Sequence, residues 1–381
     1  MTDSAVKPSE VGRAWAEIDL SALAHNTLEL RSRMPRGCEL MAVVKADAYG
    51  HGAVRIAAHL RRAGVGVFAV ASVGEGVLLR ESGLDGEIIV LGYTHPIDAG
   101  LLSRFSLTQL VVDCAHAAAL DNTGYKLRAH IAVDTGMHRL GIESSNIAGI
   151  ESVFKCKNLT VEGLASHLAV SDSLERDDEE FTKKQIESFF TVADALKNKG
   201  YDTGKLHIQA SYGIYNSPGL RCDYARAGIA LYGVMSHDSD TKLKPSLRPV
   251  LSLRARVAEV RWIGAGESVS YGRVFTAKRP LKLATVCIGY ADGIPRQTPS
   301  GEGMCIIRGH KVPVIGRVCM DLLMADVTDI ENAAQGDIAT FIGRDGNEEI
   351  RCEDFAAASG TITNDVLSRL GRRLPRVYIN E

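Results

Sequence analysis

Short apolar runs recur along the first part of the chain, separated by segments of helical periodicity. The run at 39–44, ELMAVV, is apolar at five of its six positions, the texture of a strand buried on both faces. Similar runs predict strands over 14–20, 65–71, 87–92, 109–113, 126–134, 159–167, 205–211 and 224–233. Amphipathic segments predict helices after Ser21, which can cap the first of them, and over 53–63, from about Ser72, over 146–154 and over 177–199. Strands alternating with helices imply βαβ units and a parallel sheet. Seven or eight such units before residue 237 are on the scale of a (β/α)8 barrel. A doubly wound sheet is the rival, but no GxGxxG follows a strand.

Near residue 237 the texture changes. HDSDTKLKPSLRP is polar, carries two prolines and reads as a linker. Beyond it the segments are short and β-rich, with turn residues between them, as in an antiparallel β domain. The expected organisation is a flexible lead-in over 1–12, a TIM-type barrel over 13–237 and a C-terminal, mainly antiparallel β domain over 238–381.

Composition narrows the function. The 45% apolar and 24% charged content is that of an ordinary globular protein, and a net charge of −2 points to neither nucleic acid nor an anionic membrane. The eight cysteines form no CxxC pair and read as reduced thiols of a cytoplasmic protein, and no metal site is expected. No apolar run approaches the roughly 20 residues of a membrane span. The N-terminus lacks the apolar stretch of a signal peptide.

Several predicted barrel strands end on polar residues, where barrels place their chemistry. Lys45 closes the 39–44 run and is followed by ADAYGHG. A lysine with little water around it loses its proton more readily, and a free amine can form a Schiff base with an aldehyde. Asp134 with Arg139 beyond it, His167, Ser211, and Arg226 leading into Gly228 follow at other strand ends. Singly, each has a structural reading: a snorkelling lysine, a hydrogen-bonded core histidine, a helix-capping serine, a buried ion pair. Together, an amine, a hydroxyl and the Gly228–Ile229 amides suit an aldehyde cofactor bearing a phosphate, which describes pyridoxal 5'-phosphate.

AVVKADAYGHG resembles the cofactor-lysine signature of the alanine racemases, the fold-type III pyridoxal phosphate enzymes. The likeness continues through VDTGMHRLGI, GLASHLAVSD, RAGIALYG, SVSYGRVF, IGYADGIPR and GRVCMDLLMADVT. It implies a racemase that interconverts L- and D-alanine with two bases and supplies D-amino acid for peptidoglycan. By matching motif, Lys45 resembles the lysine that carries the cofactor and serves as one base, and Tyr271 the second base. Tyr49, Ser211, Gly228 and Ile229 resemble phosphate contacts. Arg226 resembles the arginine facing the pyridine nitrogen, and His167 the histidine hydrogen-bonded to it. Arg139 resembles the arginine near the substrate carboxylate, Tyr290 a residue at the site's mouth, and Met320 and Asp321 substrate-side contacts. The resemblance further implies a head-to-tail homodimer in which Tyr271 and the Cys-Met-Asp segment reach the partner's site.

Two positions depart from the family pattern. Ala132 stands where a carbamylated lysine is frequent, so Arg139 must be steadied otherwise. Asn364 stands where a tyrosine usually contacts the phosphate. Asn364 and HIQASYG together resemble the racemase domains of vancomycin-resistance serine racemases, which carry a membrane domain not expected here. Asn364 is therefore expected on the substrate side, and serine is the alternative or additional substrate. A related decarboxylase, a cofactor-binding regulatory protein and a barrel in which Lys45 is only structural are the competing readings.

Overall fold

The computed structural model describes residues 10–381. Eight parallel strands form a nearly closed barrel. In spatial order they are Tyr224–Ala227, Glu39–Val43, Val67–Val70, Glu87–Val90, Thr108–Val111, Leu127–Asp134, Leu159–Ala165 and Lys205–His207. The last and first are joined by Asp223 N–H donating to Leu206 (2.8 Å), Arg226 N–H donating to Gln209 (3.2 Å) and a single bridge from Ala210 to Arg226.

Both faces of these strands are buried, as the continuous apolar runs require. Met41, Val43, Val67, Ala69, Ile89 and Tyr224 pack together in one cluster, while their chain neighbours Leu40, Ala42, Phe68, Val70, Ile88 and Ala225 join the main core. Side chains alternate along a strand, so the 41–43 series continues to Lys45, and the Tyr224 position to Arg226. That period-two register places both cations at one end of the barrel.

Two predicted strands lose more than half of their apolar runs. The segment beginning at Lys205 is regular only to His207: its carbonyl still accepts from the Ser166 amide at 3.0 Å, and the Arg226 guanidinium donates to it and to the Ile208 carbonyl beyond. The segment beginning at Tyr224 ends at Ala227, where Gly228 (φ −110°, ψ −101°) turns the chain into a short helical turn over Ile229–Tyr232. Ser211 does not cap its helix, Ser211–Asn216. Its hydroxyl instead accepts from the Gly228 and Ala230 amides at 3.1 and 3.3 Å.

The β-rich half forms a nine-stranded sheet, antiparallel at every pairing but one. The Ile338–Asp345 strand pairs with both Met304–Ile307 and Leu251–Ile263, which closes six of the strands into a ring. The N-terminal strand expected in the barrel, Ala14–Asp19, lies in this sheet instead, between Leu251–Ile263 and Arg376–Ile379. Apolar alternation specifies a buried strand but not its partner, so this swap between halves leaves no trace in the pattern. The following helix, Leu20–Arg33, is capped by Asp19, not Ser21: Asp19 Oδ1 accepts from the Ala22 amide at 3.0 Å. Residues 1–9 of the expected lead-in lie outside the described residues, whereas Val11 is buried against Trp15 and Val377. Among the described residues no helix is long and apolar enough to cross a membrane.

Candidate active site

A cavity of about 500 Å3 opens at the C-terminal ends of the barrel strands. Lys45, Tyr49, Arg139, His167, Ser211, Arg226, Gly228, Ile229 and Asn364 all line it. Ala132 lines it too, packed with Leu110 and Ala165, so that wall is small and apolar. Arg139 has no hydrogen-bond or ion-pair partner among the described residues. Its loop is turned by Asp134, whose Oδ1 accepts from the amides of Gly136 (2.9 Å) and His138 (3.0 Å).

Burial, and then the charge of Arg139, pull the Lys45 ammonium below the ordinary lysine value; Glu75 opposes them, and Arg226 adds a smaller push downward. The amine is thus easier to deprotonate than a surface lysine. Burial pushes the Tyr49 phenol up to about 12, so it stays a hydrogen-bond donor. A Cβ on Gly228 would come within 2.7 Å of Tyr49 Oη, so only glycine lets this phenol approach the backbone.

Arg226 is buried and makes five hydrogen bonds. Three go to the carbonyls of Ser166, His207 and Ile208, and two to ring nitrogens: Nη1 to His207 Nδ1 at 2.6 Å and Nη2 to His167 Nδ1 at 2.9 Å. The guanidinium can only donate, so both Nδ1 atoms are acceptors and both imidazoles carry their proton on Nε2. His207 Nε2 then donates to His130 Nδ1 at 2.8 Å. Burial, reinforced by Arg226, lowers His167 to about 3 and keeps it neutral. Burial likewise lowers His130 to about 3 and His207 in the same direction. Arg226 itself falls to about 10 through burial.

Directly after Lys45 the backbone does something unusual. Ala46, Asp47, Ala48 and Tyr49 all take positive φ, 51° to 54°, forming a left-handed turn of four non-glycine residues. Each costs on the order of 1–2 kcal/mol relative to a right-handed conformation. Glu75 fastens its start, with Oε1 accepting from the Ala46 amide and Oε2 from the Ala71 amide, each at 2.7 Å. Glu75 also closes a capping box with Ser72, and Ser-x-x-Glu is the one sequence signal that could have found it. Neither Glu75 nor His207 is singled out by sequence.

The structure does not bring Tyr271, Tyr290, Met320 and Asp321 to this cavity. Tyr271 is 69% exposed on a short turn, Tyr271–Arg273, of the C-terminal half. Met320 and Tyr290 are also exposed. Their loops are tied by a buried hub at Asp292, whose carboxylate takes paired hydrogen bonds from Arg13 (2.7 and 2.7 Å) and Arg373 (2.7 and 3.2 Å). Burial alone would raise Asp292, but these arginines and the Gly289 amide outweigh it and hold the carboxyl below its usual value. Arg373 also pairs with Asp321 at 2.8 Å, so the Asp321 carboxylate faces an arginine of its own chain.

Comparison with known proteins decides the family. Residues 18–236 match the model for "Alanine racemase, N-terminal domain", and residues 250–378 that for "Alanine racemase, C-terminal domain". The chain belongs to the alanine racemase family. It is 37% identical to an alanine racemase of Geobacter sulfurreducens, over 96% of this chain and 97% of that one. It is 44% identical to an amino-acid racemase of Enterococcus faecalis and 39% to a serine/alanine racemase of Enterococcus gallinarum, each over 96% of this chain. The chain spans about half the length of those two relatives, 52% and 51%. The alanine racemase structure from Clostridium difficile superposes with a TM-score of 0.89 at 31% identity, covering 97% of this chain and 96% of that one.

The family works with pyridoxal phosphate, and the cavity fits that group. Three cations, Lys45, Arg139 and Arg226, line it, as an anionic ligand carrying a phosphate demands. The glycine at 228 and the Ser211 hydroxyl leave a small polar cradle against the Tyr49 phenol. Asn364 Oδ1 is buried without a hydrogen-bond partner among the described residues.

Proposed function

We propose that this chain is a pyridoxal phosphate-dependent racemase of alanine, with serine as a second substrate, working as a head-to-tail homodimer. The carrying observation is Lys45. Its amine stands at a barrel strand end, depressed in pKa, in a cavity that also holds Arg139, Arg226 and a serine–glycine cradle. Lys45 would hold the cofactor covalently, with Tyr49, Ser211, Gly228 and Ile229 around its phosphate and Arg226 at the ring nitrogen. The bound group supplies an electron-withdrawing conjugated ring that makes the substrate's α-proton removable.

Racemisation needs acid–base groups on both faces of the α-carbon. Lys45 Nζ accepts or returns the proton on one face, and its lowered pKa suits it to that exchange. Tyr271 Oη, supplied by a second copy of the chain, serves the other face. Its exposure outside its own barrel's cavity supports that arrangement, as does that of Met320 and Tyr290. Arg139, free of protein partners, binds the substrate carboxylate. Asn364 Oδ1 offers an unused acceptor to a serine hydroxyl, and a relative named serine/alanine racemase favours the same substrate pair. A cytoplasmic enzyme supplying D-amino acid for peptidoglycan follows from the family alone.

The test is to add pyridoxal phosphate, reduce with borohydride and map the label, while following racemisation by chiral chromatography. The label is expected on Lys45, together with racemisation of alanine. A label elsewhere, or binding without racemisation of any amino acid, would sink the proposal.

A further inference from the structure

We propose that Arg376, far from the cofactor lysine in sequence, is a positioning residue for it: its guanidinium pins the left-handed turn that follows Lys45. The inference rests on the reading of Lys45 as the cofactor lysine.

A left-handed turn of four L-residues persists only where its surroundings over-determine it. Its own bonds run from the Gly50 amide to the Ala46 carbonyl (3.0 Å), from His51 to Ala48 (3.1 Å) and from Gly52 to Asp47 (2.9 Å). On the barrel side Glu75 holds the Ala46 amide, and His51 stacks on Tyr232 at 4.4 Å. The other side is closed by the C-terminal segment. Arg376 Nε donates to the Gly50 carbonyl at 2.9 Å. Its Nη1 donates to Gly371 (2.8 Å) and Leu374 (2.7 Å), and its Nη2 to Leu370 (3.0 Å). One planar fork thus stitches the end of the turn to three carbonyls of the segment behind it. A lysine, with all its donors on one nitrogen, cannot span that set. Tyr378 Oη adds a bond to the His51 carbonyl at 3.0 Å.

The contact is too close to be incidental. A Cβ on Gly50 would lie 2.2 Å from the Leu367 carbonyl oxygen, and one on Gly52 would lie 2.0 Å from Tyr378 Oη. Leu367 belongs to the helix Thr363–Ser368, whose Asn364 lines the same cavity as Lys45. The same clamp therefore sets the aim of Lys45 and Tyr49 and the position of the Asn364 wall.

The plainer reading is that Arg376 only fastens the two halves of the molecule. Val377→Ala separates them, because Val377 is buried against Val11 and Trp15 in the same strand without touching the turn. The measurements are the Kd for pyridoxal phosphate, amide deuterium exchange over residues 46–52 and the urea midpoint. Arg376→Met is expected to weaken cofactor binding about tenfold or more and to speed exchange over 46–52, with Arg376→Lys between it and wild type. Val377→Ala is expected to lower the urea midpoint and leave both other readouts within about twofold. Cofactor affinity within twofold of wild type in Arg376→Met, or an equal loss in Val377→Ala, would overturn the proposal. If Arg376→Met does not fold, Tyr378→Phe replaces it. Faster exchange at residues 50–52 and weaker cofactor binding are then expected, and no change in either overturns the proposal. Wild type that leaves Lys45 unlabelled after reduction would sink the racemase reading, whereas the exchange result would still decide the clamp.

Discussion

Arg226, on the barrel wall, is 5% exposed and spends five hydrogen bonds holding its place, whereas Tyr271, on a turn of the C-terminal half, is 69% exposed. The first region is finished within one chain. Its cation, its neutral histidines and its serine–glycine cradle are locked by burial and by directional donors. The second is tied at its 289–292 and 320–321 loops by the Asp292 hub with Arg13 and Arg373, and beside Tyr271 by Ser270 Oγ donating to the Arg317 carbonyl at 2.6 Å, but Tyr271, Tyr290 and Met320 face outward. On the proposed reading, this fixed backbone carrying unburied tyrosine and methionine is a half-site that a second copy of the chain completes.

The largest effect should follow from removing the barrel's own nucleophile. Lys45→Ala is expected to abolish covalent cofactor attachment and to cut kcat for alanine by about 10^3-fold or more, since a base and a tether are lost together. Near-normal turnover would leave the buried region without its role.

Acid should then weaken the whole fold through the buried histidines. His51 is lowered to about 4, chiefly by burial, and His130 and His167 to about 3. Unfolded, these rings take up protons near their ordinary value of about 6.5. Between about pH 6.5 and 5 the unfolded chain thus binds more protons than the folded one, and stability falls as pH falls. The slope is about 1.4 kcal/mol per pH unit for each such histidine once it is fully charged in the unfolded state. Urea unfolding at pH 7 and pH 5 measures it. A stability that holds or rises on acidification would mean these rings are not buried neutral.

The smallest effect concerns the cavity wall. Asn364→Tyr is expected to lower the ratio of kcat/KM for L-serine to that for L-alanine several-fold. The hydroxyl then loses an acceptor worth on the order of 1–3 kcal/mol. An unchanged ratio would make Asn364 incidental to substrate choice.

How far these regions could be read in advance depends on the range of the interactions. The barrel strands show in the sequence because burial on both faces leaves continuous apolar runs, and Lys45 shows because one such run stops on a charge. The motif resemblance then names the cavity residues, and nine of them line one cavity. The left-handed turn does not show, because Ala46 to Tyr49 contains no glycine to announce positive φ. Arg376 and His207 do not show either. Each acts by pairing with a segment distant in sequence, and nothing local distinguishes them from a surface arginine or a core histidine. The exchange of Ala14–Asp19 into the other half is hidden for the same reason: a strand's pattern records its burial, not its neighbour.

The claim that the site is completed by a second copy of the chain has one direct measurement. Lys45→Ala and Tyr271→Phe subunits, each inactive as homodimers, are mixed and allowed to exchange, and racemisation of alanine is followed with subunit exchange confirmed by mass spectrometry. Random exchange makes half the dimers mixed, and each mixed dimer carries one intact site, so recovery to roughly a quarter of wild-type activity is expected. Confirmed exchange with no recovery would show that Tyr271 serves its own barrel, or none, and would contradict the account.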